Sequence, residues 1–367
     1  MRGMDSPIKY FAELADPRVE RTKDHLLADI VFIAIAAVLC GAESWNDIEQ
    51  YGKAKEPWLK TFLSLPNGIP SHDTFNRVFS ALDPEQLETC FLAWVREVAQ
   101  LSQGEVVCID GKAIRGSRQA GNKAIVHMVS AWASQNNLVL GQRKVDGKSN
   151  EITAIPKLLQ VLELSGTVVT IDAMGCQRSI AQQILTQKAD YILAVKENQG
   201  GLLEGIKDSF RMLAADTVAE EVDCGHGRVE RRTCSVLGDC TLIEKSSEWA
   251  SLRSVVRIQA ERFHKATGQI EEETRYYISS LPPEAARLNR AIRQHWAIEN
   301  SLHWVLDLAF HEDQSRKRAG YAAQNFSLLN RIALNLLKND KSVKVGVRGR
   351  RLVAGWDNNF LLRLLRN

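Results

Sequence analysis

The chain has 367 residues, 45% hydrophobic and 25% charged, with 23 Gly and 9 Pro. This composition excludes a disordered, collagenous or coiled-coil chain and leaves room for two or three domains around a sizeable core. With 47 Lys and Arg against 44 Asp and Glu the formal charge is +3, so the overall balance neither requires nor excludes a polyanionic partner. Seven cysteines without a C-x-x-C pair do not form a disulfide framework and fit a reducing compartment. The longest apolar run, Ile30 to Ala42, is about 13 residues and follows Asp29, too short to span a bilayer and too far into the chain for a signal peptide. A cytoplasmic protein with no membrane partner is expected.

From Ile8 to about Gln103 the apolar spacing is helical, with breaks at Pro57, at Leu65 to Pro70 and at Asp83-Pro84. Ser71 is placed to cap a helix carrying Phe75, Val78 and Phe79, and Asp83 the next, carrying Leu87, Phe91, Trp94 and Val95. Residues 1–103 thus predict an all-helical N-terminal domain, either a packing module or a helix-turn-helix reader of DNA.

The pattern changes at Glu105. Val106 to Asp110 predicts a buried strand ending in an acid and followed by a turn at Gly111-Lys112. Two strands follow, Ala124 to Ala133 and Leu138 to Val145, joined by the turn residues Ser134 to Asn137. Thr153 is expected to cap a helix with Pro156 in its first turn. A second strand ending in an acid, Thr167 to Asp172, a helix at Ser179 to Lys188 and a strand at Tyr191 to Val195 complete a mixed sheet with helices on its faces. Residues from about 200 to 280 break this alternation with a helix near Leu202 to Leu213 and short Val- and Thr-rich runs, a β-rich insertion. Helical patterns resume from Pro283 past Asp307 and from Ala322 to Leu337.

Asp110 and Asp172 each end a predicted strand, at the sheet edge where α/β proteins bind ligands. On the following helix His295, Glu299, His303 and Asp307 recur every four residues, opposite an apolar stripe of Ile298, Leu302, Val305 and Ala309. Packing that helix on the sheet edge brings Glu299 to the two aspartates. Three carboxylates with no matching thiols favour Mg²⁺, with Mn²⁺ as substitute, and such a set holds two ions about 3.5–4 Å apart for in-line phosphoryl displacement. Taken singly, each acid reads equally as a loop cap or a solvated helix residue.

The segments Cys108 to Lys112, Lys148 to Ile152, Thr170 to Gln177 and His295 to Trp304 resemble the DDE transposases of ISAs-type insertion sequences, a group that includes the H-repeat-associated proteins of Rhs elements. The resemblance covers nearly the whole chain, with Gly68 to Phe75 similar to the family's transposase-associated domain. It implies an RNase H-like α/β catalytic domain over residues 104–345, with Asp110, Asp172 and Glu299 as catalytic and metal-binding residues. It also implies double-stranded DNA, both element ends and target, as partner, and pairing of two ends favours a homodimer. Related transposases carry Tyr, Arg and Lys where this chain has Ile292, His295 and Leu306; Arg290, Arg293, His303 and Lys112 are the substitute candidates for phosphate contact. Asp307, Glu312 and Asp313 are the acids to examine should one of the three fail to converge. A metal-dependent nuclease without strand transfer and a catalytically silent DNA-binding relic are the rival functions.

Two basic segments remain. Cys224 to Arg232 matches no zinc-knuckle spacing and reads as a polar hairpin whose Arg228, Arg231 and Arg232 touch phosphates. From Ser315 onward twelve Lys and Arg face only Asp340 and Asp357, a local charge of 12 − 2 = +10. Its cluster Arg348, Arg350 and Arg351 suits backbone phosphate binding, and residues 346–367 read as a basic C-terminal tail. Location at the nucleoid follows from that reading.

Overall fold

The apolar run at Ile30 forms α1 (Leu27–Leu39), apolar on every side because Ile30 through Leu39 are each 0% exposed. The computed structural model describes residues 7–118, 125–145, 150–225 and 227–366. Among these no helix is long and apolar enough to cross a membrane, and all seven cysteines are free. α2 (Trp45–Leu59) starts at a reciprocal capping box of Ser44 and Asp47. Ser71 caps α3 (His72–Ala81) and Asp83 caps α4 (Pro84–Val98), whose first residue is Pro84, as the sequence indicates.

The described residues form a nine-stranded sheet. Its strands are β1 (Val106–Ile114), β2 (Val126–Ala133), β3 (Leu138–Lys144), β4 (Val168–Ile171), β5 (Asp190–Val195), β6 (Thr217–Gly225), β7 (Arg228–Leu237), β8 (Ser254–His264) and β9 (Ile270–Ser279). The order is β3-β2-β1-β4-β5-β9-β8-β7-β6, with β1, β4 and β5 mutually parallel and the other neighbours antiparallel. α5 (Glu151–Val161) and α6 (Arg178–Thr186) make the crossovers to β4 and β5, and α7 (Gly200–Met212) follows β5. The mixed sheet flanked by helices is the expected RNase H-like class.

Several local expectations are corrected. β1 does not turn at Gly111-Lys112: β2 pairs with it from Val107 to Ile114, whereas β4 leaves after the Ile109–Ile171 pair. Asp110 therefore lies where β1 loses its parallel neighbour but keeps its antiparallel one. The cap of α5 is Asn150, which accepts from the Ile152 N–H at 3.2 Å, not Thr153, and Pro156 falls inside the helix. Lys148, Ser149 and Ala124 lie outside the described residues. The insertion holds strands of 9 to 11 residues, not short runs. It continues the same sheet, because β9 pairs with β5 (Leu193 opposite Ile278).

The helical pattern after the insertion is broken into α8 (Ala285–His295), an irregular step at Trp296, a π turn over Glu299–His303 and α9 (Trp304–Ala309). In the π turn the Trp304 N–H donates to the Glu299 carbonyl, and the extra residue advances the register by one. That is why Leu306, at 0% exposure, continues the buried stripe in place of Val305. α10 (Ala322–Asn339) packs on α1, α3, α4 and β3. Asn335 clamps Val139 of β3, accepting from its N–H at 2.8 Å and donating to its carbonyl at 2.9 Å. Gly320, at φ +46°, precedes it; a Cβ there would overlap the Ser80 carbonyl oxygen. The C-terminal segment is not a tail: α11 (Val347–Trp356) packs on α1, α9 and α10, and α12 (Asn358–Leu364) packs on α11.

Candidate metal centre

The site forms where β1 parts from β4 and α8 crosses behind them. Asp110 is held within β1 opposite Ser130 of β2. One carboxylate oxygen each of Asp110 and Glu299 and one nitrogen of His303 lie within 4.8 Å of one another. His303 Nδ1 stands between the two acids, 3.6 Å from Asp110 Oδ2 and 3.5 Å from Glu299 Oε2. Glu299 is the outer member, its side chain 58% exposed against 17% for Asp110. Asp172 is not in this closest cluster but lines the same cleft of about 620 Å³ with Asp110 and Glu299. At the end of β4 its Oδ1 accepts from the N–H groups of Met174 at 3.1 Å and Gly175 at 3.4 Å, which fixes the carboxylate at the strand terminus.

Burial sets the protonation of these groups. It pushes the Asp110 carboxyl up to about 6, reinforced by the charges of Asp172 and Glu299 and opposed by His303. Asp172 is raised by burial, whereas the contact with His303 holds Glu299 below the usual range. A carboxylate pair bridged by an imidazole whose Nε2 is buried without a partner among the described residues is compatible with a divalent cation, which supplies the charge that burial withholds. Because Asp110 carries a proton below about 6, a metal must displace it there. Manganese titrations at pH 8, 7, 6 and 5 are expected to show affinity falling as pH drops through the raised Asp110 carboxyl, with a marked loss by pH 5. Affinity unchanged at pH 5 would remove Asp110 from the ligand set.

Several sequence candidates have other work. His303 is 5% exposed and faces carboxylates, so it is no surface phosphate contact. Lys112, carried inward by the continuing β1, is 7% exposed and bonds Asp307 at 2.7 Å and Asp313 at 2.9 Å. These acids, with Glu312 paired to the buried Arg331 at 2.7 Å, are thereby occupied and are not substitute ligands. Arg293 pairs with Asp223 at 2.6 Å and Glu221 at 3.5 Å of β6, and Arg232 with Glu230 at 3.1 Å. Arg351 is buried at 3% exposure, and Arg350 donates to the Leu337 carbonyl at 2.6 Å. Arg228 at the β6–β7 hairpin, Arg290 on α8 and Arg348 on α11 are exposed; His226, within the same hairpin motif, lies outside the described residues.

None of the three helper positions offers a cation. Ile292 and Leu306 are buried, and burial drives His295 down to about 4, leaving its Nδ1 to share a hydrogen bond with Thr170 Oγ1 at 2.9 Å. The cations lining the cleft are Lys196, Lys207, which pairs with Glu204 at 2.7 Å, and Arg275, which pairs with Glu273 at 2.5 Å and lies 4.0 Å over the ring of Trp296. Lys196 is legible in the sequence, where Lys196 to Gln199 follow a strand at the same sheet edge and read either as site lining or as a polar loop. Arg275 reaches the cleft through the β5–β9 pairing and Lys207 from α7, placements that no local pattern encodes. Glu151 stands in the segment Lys148 to Ile152 that carries the resemblance, but no role attaches to it there, and with Thr153 as the expected cap it falls before the helix.

The family model described as transposase DDE domain matches residues 101–336, and that described as DDE_Tnp_1-associated matches residues 8–95. The chain is 41% identical to YncI of Escherichia coli O157:H7, named as a transposase, over 99% of this chain and 95% of that protein. It is 38% identical to YhhI of Escherichia coli K12, named as H repeat-associated, over 98% and 97% of the two chains. Among solved structures the piggyBac transposase synaptic complex with hairpin DNA is similar at a TM-score of 0.46 and 12% identity, covering 99% of this chain and 81% of that one.

Proposed function

The chain belongs to the H-repeat-associated DDE transposase family, and we propose that it cuts DNA at the ends of an insertion sequence and joins the freed 3′-hydroxyls to target DNA. The observation that carries this reading is the gathering of Asp110, Glu299 and His303 beside Asp172 in one cleft that also holds Lys196, Lys207 and Arg275. The ligands assigned are Asp110, Asp172 and Glu299, and the ions Mg²⁺ or Mn²⁺, two per site. Such ions, when bound, activate the attacking oxygen and stabilise the leaving oxygen of the displacement.

The protein's own residues hold and orient. Strand pairing on β1 fixes Asp110, two backbone N–H groups fix Asp172, and His303 draws Glu299 toward Asp110. Lys196 presents positive charge to the phosphate backbone along the cleft, joined by Lys207 and Arg275 once they part from Glu204 and Glu273, a role that related transposases give to the Arg and Lys replaced here by His295 and Leu306. In this assignment residues 104–345 are the catalytic domain, residues 1–103 its helical companion, and the working form a homodimer holding two DNA ends at the nucleoid.

The test is an incubation of the purified chain with Mg²⁺, duplexes carrying the ends of its element and a plasmid target. Nicks at the element ends together with joined products are the expected result. Cutting without joining would replace the reading with a nuclease, and end binding without cutting with a silent relic. Of the three arginines near residue 350, only Arg348 is free to meet a phosphate. Arg348→Ala is expected to flatten the log-log dependence of DNA affinity on salt by at most about 0.9. A change of about 2 or more units on neutralising Arg348, Arg350 and Arg351 together would mean that Arg350 and Arg351 leave their carbonyl partners on DNA.

A further inference from the structure

Glu151 opens α5, directly after the cap Asn150, and its carboxylate lies against Gly111 of β1. A Cβ at position 111 would overlap Glu151 Oε1 and Cδ, so the residue beside Asp110 leaves room for this acid by having no side chain. Asp172 and Asp110 lie close enough to repel Glu151, and His303 opposes them. No hydrogen-bond donor or ion-pair partner meets its carboxylate among the described residues. A partly buried carboxylate repelled by two others and, among the described residues, without a counter-ion is costly, and a cation in their midst is what removes the cost.

We propose that Glu151 is a fourth carboxylate ligand of the metal centre, admitted by Gly111 and completing a set with Asp110, Asp172 and Glu299. This rests on the metal-dependent reading of the site given above. Four carboxylates carry a charge of −4, which two divalent ions balance, whereas three leave the pair of ions with an excess of +1 before any phosphate arrives. The rival role is a first-turn acid favoured by the N-terminal end of α5. The two roles predict opposite signs in the metal-free protein. A ligand repelled by its neighbours destabilises that state, and a helix-end charge stabilises it.

The full chain is compared with Glu151→Gln, Glu151→Asp, Gly111→Ala and Asp110→Asn by thermal unfolding in chelator and by Mn²⁺ titration at pH 8. Glu151→Gln is expected to raise the melting temperature in chelator and to weaken Mn²⁺ binding by about tenfold or more. Glu151→Asp should recover part of that affinity. Gly111→Ala, which displaces the carboxylate without removing it, should weaken binding in the same direction. Unchanged Mn²⁺ affinity in Glu151→Gln beside a loss in Asp110→Asn would overturn the fourth ligand and leave the centre standing. No Mn²⁺ binding by the unaltered chain would overturn the centre itself. A lower melting temperature of Glu151→Gln in chelator with unaltered metal affinity would return Glu151 to the helix-end role.

Discussion

Asp110→Asn and Asp172→Asn are each expected to lower Mg²⁺-dependent cleavage of element-end DNA by at least about a thousandfold, while DNA affinity stays within a few fold. Metal stabilisation of transition-state charge is worth several kcal/mol, and each 1.36 kcal/mol is tenfold in rate. The amide keeps the shape of the side chain and removes the charge. At Asp110 it also removes a carboxylate that burial and two neighbouring acids disfavour, so the metal-free Asp110→Asn protein should melt no lower than the unaltered one at pH 8. The sign follows from the raised carboxyl. The folded state holds the proton more tightly than the unfolded state, so the penalty is absent at low pH, grows as pH rises from the ordinary Asp value of 3.8 through about 6, and is complete above it. Cleavage kinetics and melting curves together separate this outcome from a folding defect. Cleavage at an unaltered rate would make the two aspartates structural.

Arg351→Ala is expected to destabilise the protein by about 3–5 kcal/mol, seen as a lower urea midpoint at unchanged slope. Its guanidinium donates to the Val38 carbonyl at 2.9 and 3.1 Å, to Ala42 at 3.3 Å and to Ala309. These carbonyls lie at or just beyond the C-terminal ends of α1 and α9, where the last turns lack intrahelical donors and carry partial negative charge. Glu43 is 3.9 Å away, too far for a tight pair, and burial lowers the guanidinium to about 10, which still leaves it charged. One side chain thus ties the C-terminal segment to the central helix and to the helix that follows Glu299. The neighbouring Arg348→Ala, on the exposed face of α11, is expected to change stability by less than about 0.5 kcal/mol. Similar losses in the two variants would return Arg351 to the surface cluster.

Much of the architecture is legible in the chain because the rules that produce it act over a few residues. Ser71 and Asp83 cap their helices where a hydroxyl or carboxylate precedes an apolar period, and the strand ending at Asp172 shows as a short β-branched run closed by an acid. The two aspartates and Glu299 stand out for the same reason, a carboxylate closing an apolar run or recurring on one helical face, although β1 itself continues past Asp110. What the sequence could not decide is which charged residues become buried, since burial follows from partners far along the chain. Lys112 is turned from DNA to Asp307 and Asp313 because β2 continues the β1 ladder past Asp110. Arg275 reaches the cleft because β9 pairs with β5, and Arg351 leaves the surface because α11 packs over the end of α1. The π turn at Glu299–His303 shifts the buried stripe to Leu306, a one-residue change that an ideal helical period does not contain. Glu151 is the same lesson at the site itself: locally it is a first-turn acid, and only the close approach of α5 to Gly111 makes it a neighbour of Asp110.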